Sequence, residues 1–250
     1  MIDLHSHVLP GLDDGADDLE EALAICSAAA ADGIEVLAAT PHVRHDYPTT
    51  PEAMERALDA LRAAGPPVEL VRGGELDLGE LDRPKEELQR FALGGSRYLL
   101  VETPYFGWPL DFPDRVFRLA SVGIRAVIAH PERNPDVQER PELLERLVAG
   151  GALAQLTAAS VDGRLGPRAR KTSLLLLERG LAHLIASDAH EASVREVGLG
   201  SAAAAVGDEA LARYLTIDVP RAIVEGGPLP DRPEPQKRRG LFRGRSRGGR

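Results

Sequence analysis

The residues best suited to chemistry near the start of the chain are in Asp3-Leu4-His5-Ser6-His7. His5 and His7 are two positions apart, and on an extended backbone that spacing turns both imidazoles to one face. A neutral imidazole offers a nitrogen lone pair to a divalent cation, at about 2.0 to 2.1 Å when the ion is zinc. The spacing recurs in Asp188-Ala189-His190, which offers an oxygen and a nitrogen to one neighbourhood. Taken alone, either pattern suits surface histidines, a salt bridge or a helix cap equally well.

The rest of the chain changes that balance. Five of the seven histidines, His5, His7, His42, His130 and His190, fall where apolar strand patterns end. Glu75 follows Gly73-Gly74, Glu102 closes the apolar run from Tyr98, and Asp188 follows Ile185-Ala186-Ser187. A carboxylate buried at such a position needs a cation or hydrogen-bond donors. His5, His7, His42, Glu75, Glu102, His130, Asp188 and His190 are twice the set that one four-coordinate zinc takes up. Two or three cations account for them better, with a carboxylate bridging ions about 3.5 to 4 Å apart. Glu75, on a middle strand, is the expected bridge.

Other residues have two readings. Asp13 and Asp14 precede a helix that either of them, or Asp17 or Asp18, can cap; their proximity to His7 also allows an active-site role, with Asp14 suited to proton transfer or support of a ligand. Arg133, directly after His130-Pro131-Glu132, can grip two phosphate oxygens or pair with Glu132. Arg195 is either a second phosphate contact or a solvated loop residue, and Arg44 has a weaker case of the same kind. His45 reads as an exposed loop residue, His183 as structural, and Cys26 as a buried helix residue without a phosphate-cradling loop around it.

These groups need a frame. Short aliphatic runs alternate with alanine- and leucine-rich stretches, a βα repeat. Strands are expected at Ile2 to His5, Glu35 to Thr40, Val68 to Gly73, Tyr98 to Glu102, Ala126 to His130, Ala152 to Thr157 and His183 to Ser187. Helices are expected near Leu19 to Ala31, Pro51 to Ala64, Arg83 to Arg90, Asp114 to Val122, Pro141 to Ala149 and Ala169 to Arg179, with Gly33, Gly123, Gly150 and Gly180 closing four of them. An open sheet would spread six ligand-bearing strand ends along an edge, whereas a closed barrel gathers them at one mouth. The expected fold class is therefore α/β, a seven-stranded TIM-like barrel.

The 250 residues suit one such barrel, and no apolar run is long enough to cross a bilayer. The chain begins on a strand pattern without a signal-peptide profile, so a cytoplasmic protein is expected. One cysteine excludes an internal disulfide and a four-cysteine zinc site. The net charge is -9, but residues 231–250 hold eight Arg or Lys against two acids, so that segment carries +6 and the body -15. An acidic body disfavours nucleic acid. Residues 1–226 are expected to be the folded domain and 227–250 a flexible Pro/Gly-rich basic tail, dispensable for a small substrate and able to contact an anionic membrane surface.

In order, MIDLHSHVLPGLDDGADDLEEAL, ATPH to His42, GGE to Glu75, VETP around Glu102, AHPER around His130 and ASDAH to His190 resemble the polymerase-and-histidinol-phosphatase superfamily. The resemblance is greater to its bacterial capsular and exopolysaccharide metal-dependent tyrosine-protein phosphatases, and it spans roughly Met1 to Gly226. It implies a distorted seven-stranded α/β barrel and two or three divalent ions, manganese first, with magnesium, iron, cobalt or zinc as alternatives. His5 and His7 would join Glu75 and Asp188, Glu102 and His130 would hold a neighbouring ion, and His42 and His190 a third. The implied activity is phosphotyrosine hydrolysis by metal-activated water, in control of capsule or exopolysaccharide synthesis. Arg133 would contact the phosphate, with Arg195 and Asp14 as further catalytic candidates. The implied partner is a phosphotyrosine protein, such as a membrane-associated bacterial tyrosine kinase, which would bring the enzyme to the inner face of the membrane. Hydrolysis of histidinol phosphate or another small ester is the alternative activity, and a metal-stabilised regulatory binding protein the non-enzyme alternative. The stretch from Glu191 to Arg195 and Thr157, where relatives often carry asparagine, depart from the family pattern and bear on substrate choice.

Overall fold

The computed structural model describes residues 1–192 and 197–234. Strands β1 (Ile2–Asp3), β2 (Val36–Ala39) and β4 (Glu69–Arg72) form one parallel sheet in the order β1-β2-β4. Strands β3 (His42–Val43), β5 (Glu75–Leu76), β6 (Tyr98–Glu102), β7 (Arg125–Ala129), β8 (Leu153–Thr157) and β9 (Leu184–Ala186) form a second, also parallel. Nine segments in two sheets thus replace the seven strands expected. Two expected strands run further than their apolar patterns and are broken on the way. Pro41, which has no N–H to donate, separates β2 from β3. Gly73-Gly74 separates β4 from β5, and a Cβ at either glycine would lie 2.8 Å from Thr40 or Phe91. Each break carries the chain from the first sheet into the second. β1 bonds β2 on one side. On its other side the chain leaving β1 meets the chain leaving β9: Asp188 N donates to His5 O (2.9 Å), His7 N donates to Ala189 O (2.8 Å), and Ser6 bridges Ala189.

Helices α1 (Leu19–Ala31), α2 (Pro51–Ala63), α3 (Lys85–Arg90), α4 (Phe112–Ser121), α6 (Glu142–Ala149) and α8 (Pro167–Glu178) lie where the sequence places them, and α5 (Pro135–Glu139) and α7 (Ala158–Val161) are short additions after β7 and β8. α1 shows how an alanine-rich sequence docks. It buries Ala22, Ile25, Cys26 and Ala29, a stripe with helical spacing, and Asp18 caps it by accepting from Glu21 N. Of the four glycines expected after helices, Gly33, Gly123 and Gly180 take positive φ. Gly150 does not: it caps the helix in a right-handed conformation, and Gly151 (φ 97°) makes the left-handed turn.

The sequence reading did not anticipate α9 (Leu199–Val206), α10 (Glu209–Arg213) and α11 (Val219–Glu225). A π-helical segment at Tyr214–Asp218 joins the last two, and Pro220 enters α11 in its first turn, where its missing N–H costs least. Contacts continue past the expected boundary at Gly226. Leu229 packs against the core, and the Arg232 guanidinium donates to Ala182 O and Leu177 O and lies 5.8 Å from the centre of the Tyr214 ring. Residues 235–250, most of the expected basic tail, lie outside the described residues. Among the described residues no helix is long and apolar enough to cross a membrane.

Candidate metal centre

All eight residues read as ligands are buried and meet in one cluster. His5 and His7 follow β1, His42 opens β3, Glu75 opens β5, Glu102 closes β6, His130 follows β7, and Asp188 and His190 follow β9. Glu75 lies among four imidazoles. Its Oε2 is 3.2 Å from His5 Nε2, 3.4 Å from His7 Nε2 and 3.1 Å from His42 Nδ1, and its Oε1 is 2.9 Å from His130 Nε2. Asp188 Oδ1 is 3.4 Å from the Nε2 of both His5 and His7.

Four overlapping groups of donors result: His5, His7 and Glu75; His5, His130 and Asp188; His42, Glu75 and Glu102; and His7, Asp14, His42 and His190. The grouping differs in one respect from the one that the resemblance implied. Glu102 stands with His42 and Glu75, while His130 stands with His5 and Asp188. Asp14 supplies an oxygen to the fourth group, 3.5 Å from His42 and 3.4 Å from His190.

The sequence reading missed the residues that aim these ligands. Gln155, in the middle of β8, sets its Oε1 3.0 Å from His5 Nδ1, which places the proton on Nδ1 and leaves Nε2 as the donor atom. Asp13 Oδ2 does the same for His7 Nδ1 at 2.7 Å and also accepts from His42 N. Gly15 lets this loop fold over His7, since a Cβ there would lie 2.0 Å from His7 O. An amide inside an otherwise apolar strand was the available signal for Gln155. For Asp13 the signal was its proximity to His7, which alone did not choose it over Asp14 or over a helix cap.

Only two described residues other than glycine have positive φ, His130 (39°) and Asp188 (57°), and both are candidate ligands. Left-handed backbone costs a residue with a Cβ about 1–2 kcal/mol, so the fold holds these two strand exits in a conformation that local preference opposes. The turn directs each side chain back into the cluster.

Electrostatics and hydrogen bonding test whether cations suit the cluster. Burial opposes ionisation of Glu75, yet His5 and the other imidazoles outweigh it and hold the carboxyl well below its usual range. Burial, with Glu75 adding repulsion, pushes Glu102 up to about 8 against the pull of Arg44. Burial lowers His42 to about 4 although Glu75 opposes this, so its imidazole is neutral, the form that ligates. His42 Nδ1 and Glu75 Oε2 are buried without a hydrogen bond, and His5 Nε2 faces His7 Nε2 at 3.2 Å. Nitrogen and oxygen donor atoms crowded together in this way fit divalent cations.

The remaining candidates separate. Arg133 Nη1 lies 2.5 Å from Asp188 Oδ2, while the Glu132 carboxylate accepts from Thr157 N, so Arg133 faces the cluster and not Glu132. Arg44 pairs with Glu102 and Asp46. Arg195 lies outside the described residues. His45 is exposed. His183 accepts from Ala154 N through Nδ1 and is lowered to about 4 by burial, with Arg232 and Arg125 adding to it, as a structural histidine would be. Cys26 is buried and its thiol is pushed up to about 11, unsuited to act as a nucleophile.

A parallel α/β frame that gathers overlapping N/O donor groups defines a class, α/β proteins with a candidate metal centre. Within it, the chain belongs to the capsular polysaccharide synthesis family CpsB/CapC, whose profile matches residues 1–225. It is 34% identical over 256 residues to the tyrosine-protein phosphatase YwqE of Bacillus subtilis, covering 97% of this chain and 99% of that one. It is 26% identical over 240 residues to the tyrosine-protein phosphatase CpsB of Streptococcus pneumoniae, covering 90% and 98%. A solved structure from work on YwqE and CpsB, described as unique metal-dependent tyrosine phosphatases, superposes with a TM-score of 0.84 at 31% identity, over 95% of this chain and all of that one. The histidinol phosphate phosphatase of Lactococcus lactis, at 12% identity and a TM-score of 0.52, shares the fold.

Proposed function

We propose that this chain is a metal-dependent tyrosine-protein phosphatase that holds two or three divalent ions, manganese first among them, and acts on phosphotyrosine proteins such as a membrane-associated kinase on the cytoplasmic side. The observation that carries the reading is the convergence of the eight expected donors, with Asp14, into overlapping groups beside the Arg133 guanidinium. When bound, divalent cations polarise phosphoryl oxygens and lower the pKa of water.

The chain's own residues do the rest. Glu75 spans the groups, Gln155 and Asp13 fix the ring orientations of His5 and His7, and Arg133 offers a planar fork to the non-bridging oxygens of the phosphate. A phenolate leaves readily, its reference pKa being about 10, so a strong general acid is not required. The nine strand segments are best understood as seven strands of a distorted barrel, two of them interrupted. The hydrogen bonds between the chain after β1 and the chain after β9 support that reading.

Turnover of a phosphotyrosyl peptide and of histidinol phosphate by manganese-loaded protein tests the assignment. The peptide is the preferred substrate, and Arg133→Ala lowers kcat/KM at least 100-fold while the metal content stays as in wild type. Arg133→Lys restores part of the loss, because an ammonium lacks the two-pronged contact. Preference for histidinol phosphate, or wild-type kinetics in Arg133→Ala, contradicts it.

A further inference from the structure

Among the described residues the three most exposed large apolar side chains are Leu110 (98%), Phe106 (86%) and Phe117 (70%), and Tyr105 is also exposed. All four fall between Tyr105 and Phe117, on the loop that leaves β6 and on the helix α4 that follows it. Single exposed apolar residues need no explanation, but a group of them marks a contact surface.

This loop is pinned at several points. Thr103 Oγ1 donates to Ala129 O at 2.6 Å, the Asn134 amide donates to Pro104 O (2.6 Å) and Gly107 O (3.1 Å), and the Trp108 ring lies 4.9 Å from that of Phe112. A pinned loop keeps its apolar side chains in place, so a partner need not supply the energy to order it.

Its position indicates what it contacts. The loop starts at the residue after Glu102, and Asn134, which holds it, is the neighbour of Arg133. Tyr105 lines a cavity of about 330 Å³ together with Arg44, Asp46, Asp77, Glu102 and Pro104. Tyr105 therefore lies at the rim of the candidate metal centre, and Phe106 and Leu110 follow it on the same pinned loop. A small phosphate ester is gripped by charge alone and has no use for this rim. A polypeptide whose phosphotyrosine reaches Arg133 must lay its neighbouring residues on it.

Resting on the phosphatase reading above, we propose that the Tyr105–Leu110 rim is a specificity element that seats apolar residues flanking the phosphotyrosine of an extended substrate segment. A second copy of this chain is a less suitable occupant, because the rim continues into the charged cavity at the site, with Asp46, Asp77 and Glu102 around Arg44.

The test uses the full manganese-loaded chain and its Phe106→Ser/Leu110→Ser variant, whose altered side chains are exposed and support no packing. Three substrates are compared: a phosphotyrosyl peptide with leucine and isoleucine flanks, the same peptide with glycine and serine flanks, and phenyl phosphate. The variant raises KM for the apolar peptide about tenfold or more, equivalent to about 1.4 kcal/mol of binding. It leaves kcat unchanged, and the other two substrates behave as with wild type. Trp108, the chain's single tryptophan, supplies a readout independent of turnover. Its emission shifts on titration with a non-hydrolysable phosphonate version of the apolar peptide in wild type, and at about tenfold higher concentration in the variant. Equal KM values for the two peptides in wild type, or an unchanged KM in the variant, overturn the proposal. So does a dimer seen by ultracentrifugation that the variant abolishes without a change in KM, which makes the rim a self-association face. If wild type hydrolyses phenyl phosphate but neither peptide, the phosphotyrosyl-protein reading itself fails, and the rim assignment falls with it.

Discussion

At the scale of single residues, the convergence of the candidate ligands was legible because chemistry and position coincide. A histidine or carboxylate that ends an apolar strand has few other uses, and all eight such residues arrive at one place. The residues behind them were not legible, because support depends on what faces a ligand across the fold. Asp13 reads as a cap in the sequence and lies instead on His7, where its carboxylate fixes the ring. We predict that Asp13→Asn weakens metal affinity 10- to 100-fold, the usual effect of removing the group behind a histidine ligand. Turnover at saturating metal stays within a few-fold of wild type. Competition with a chelating dye measures the affinity, and an unchanged value would show that His7 needs no such support.

The elements were legible wherever a hydrophobic period ran unbroken, as in α1, α2, β6 and β7. They were misread where a residue that breaks one element permits another. Pro41 and Gly73-Gly74 seemed to end strands but shift each strand to the second sheet, carrying His42 and Glu75 into the cluster. The stretch around Pro220 showed no helical period, yet the π-helical segment before it lets α11 follow α10. Nor does a sequence reveal that His130 and Asp188 are held in left-handed backbone. That strain predicts a ranking: in chelator, where ligation does not contribute, His130→Gly is more stable to urea than His130→Ala by about 1 kcal/mol. An alanine variant at least as stable as the glycine variant would show that the position is relaxed.

For the whole molecule, the alternation of strands and helices pointed to an α/β fold with parallel strands, and the family resemblance extended over nearly the same residues as the profile match to 1–225. The packing of Leu229 and Arg232 was not legible, because a proline- and glycine-rich stretch shows no period to read. The central claim is that one end of this fold holds several cations that the activity requires. Metal analysis of protein loaded with manganese and exchanged into metal-free buffer, with phosphotyrosyl-peptide turnover followed during graded removal by chelator, tests it most directly. The account predicts more than one bound equivalent per chain, activity that falls with metal content, and recovery on adding manganese back. Full turnover by protein that retains no bound metal would contradict it.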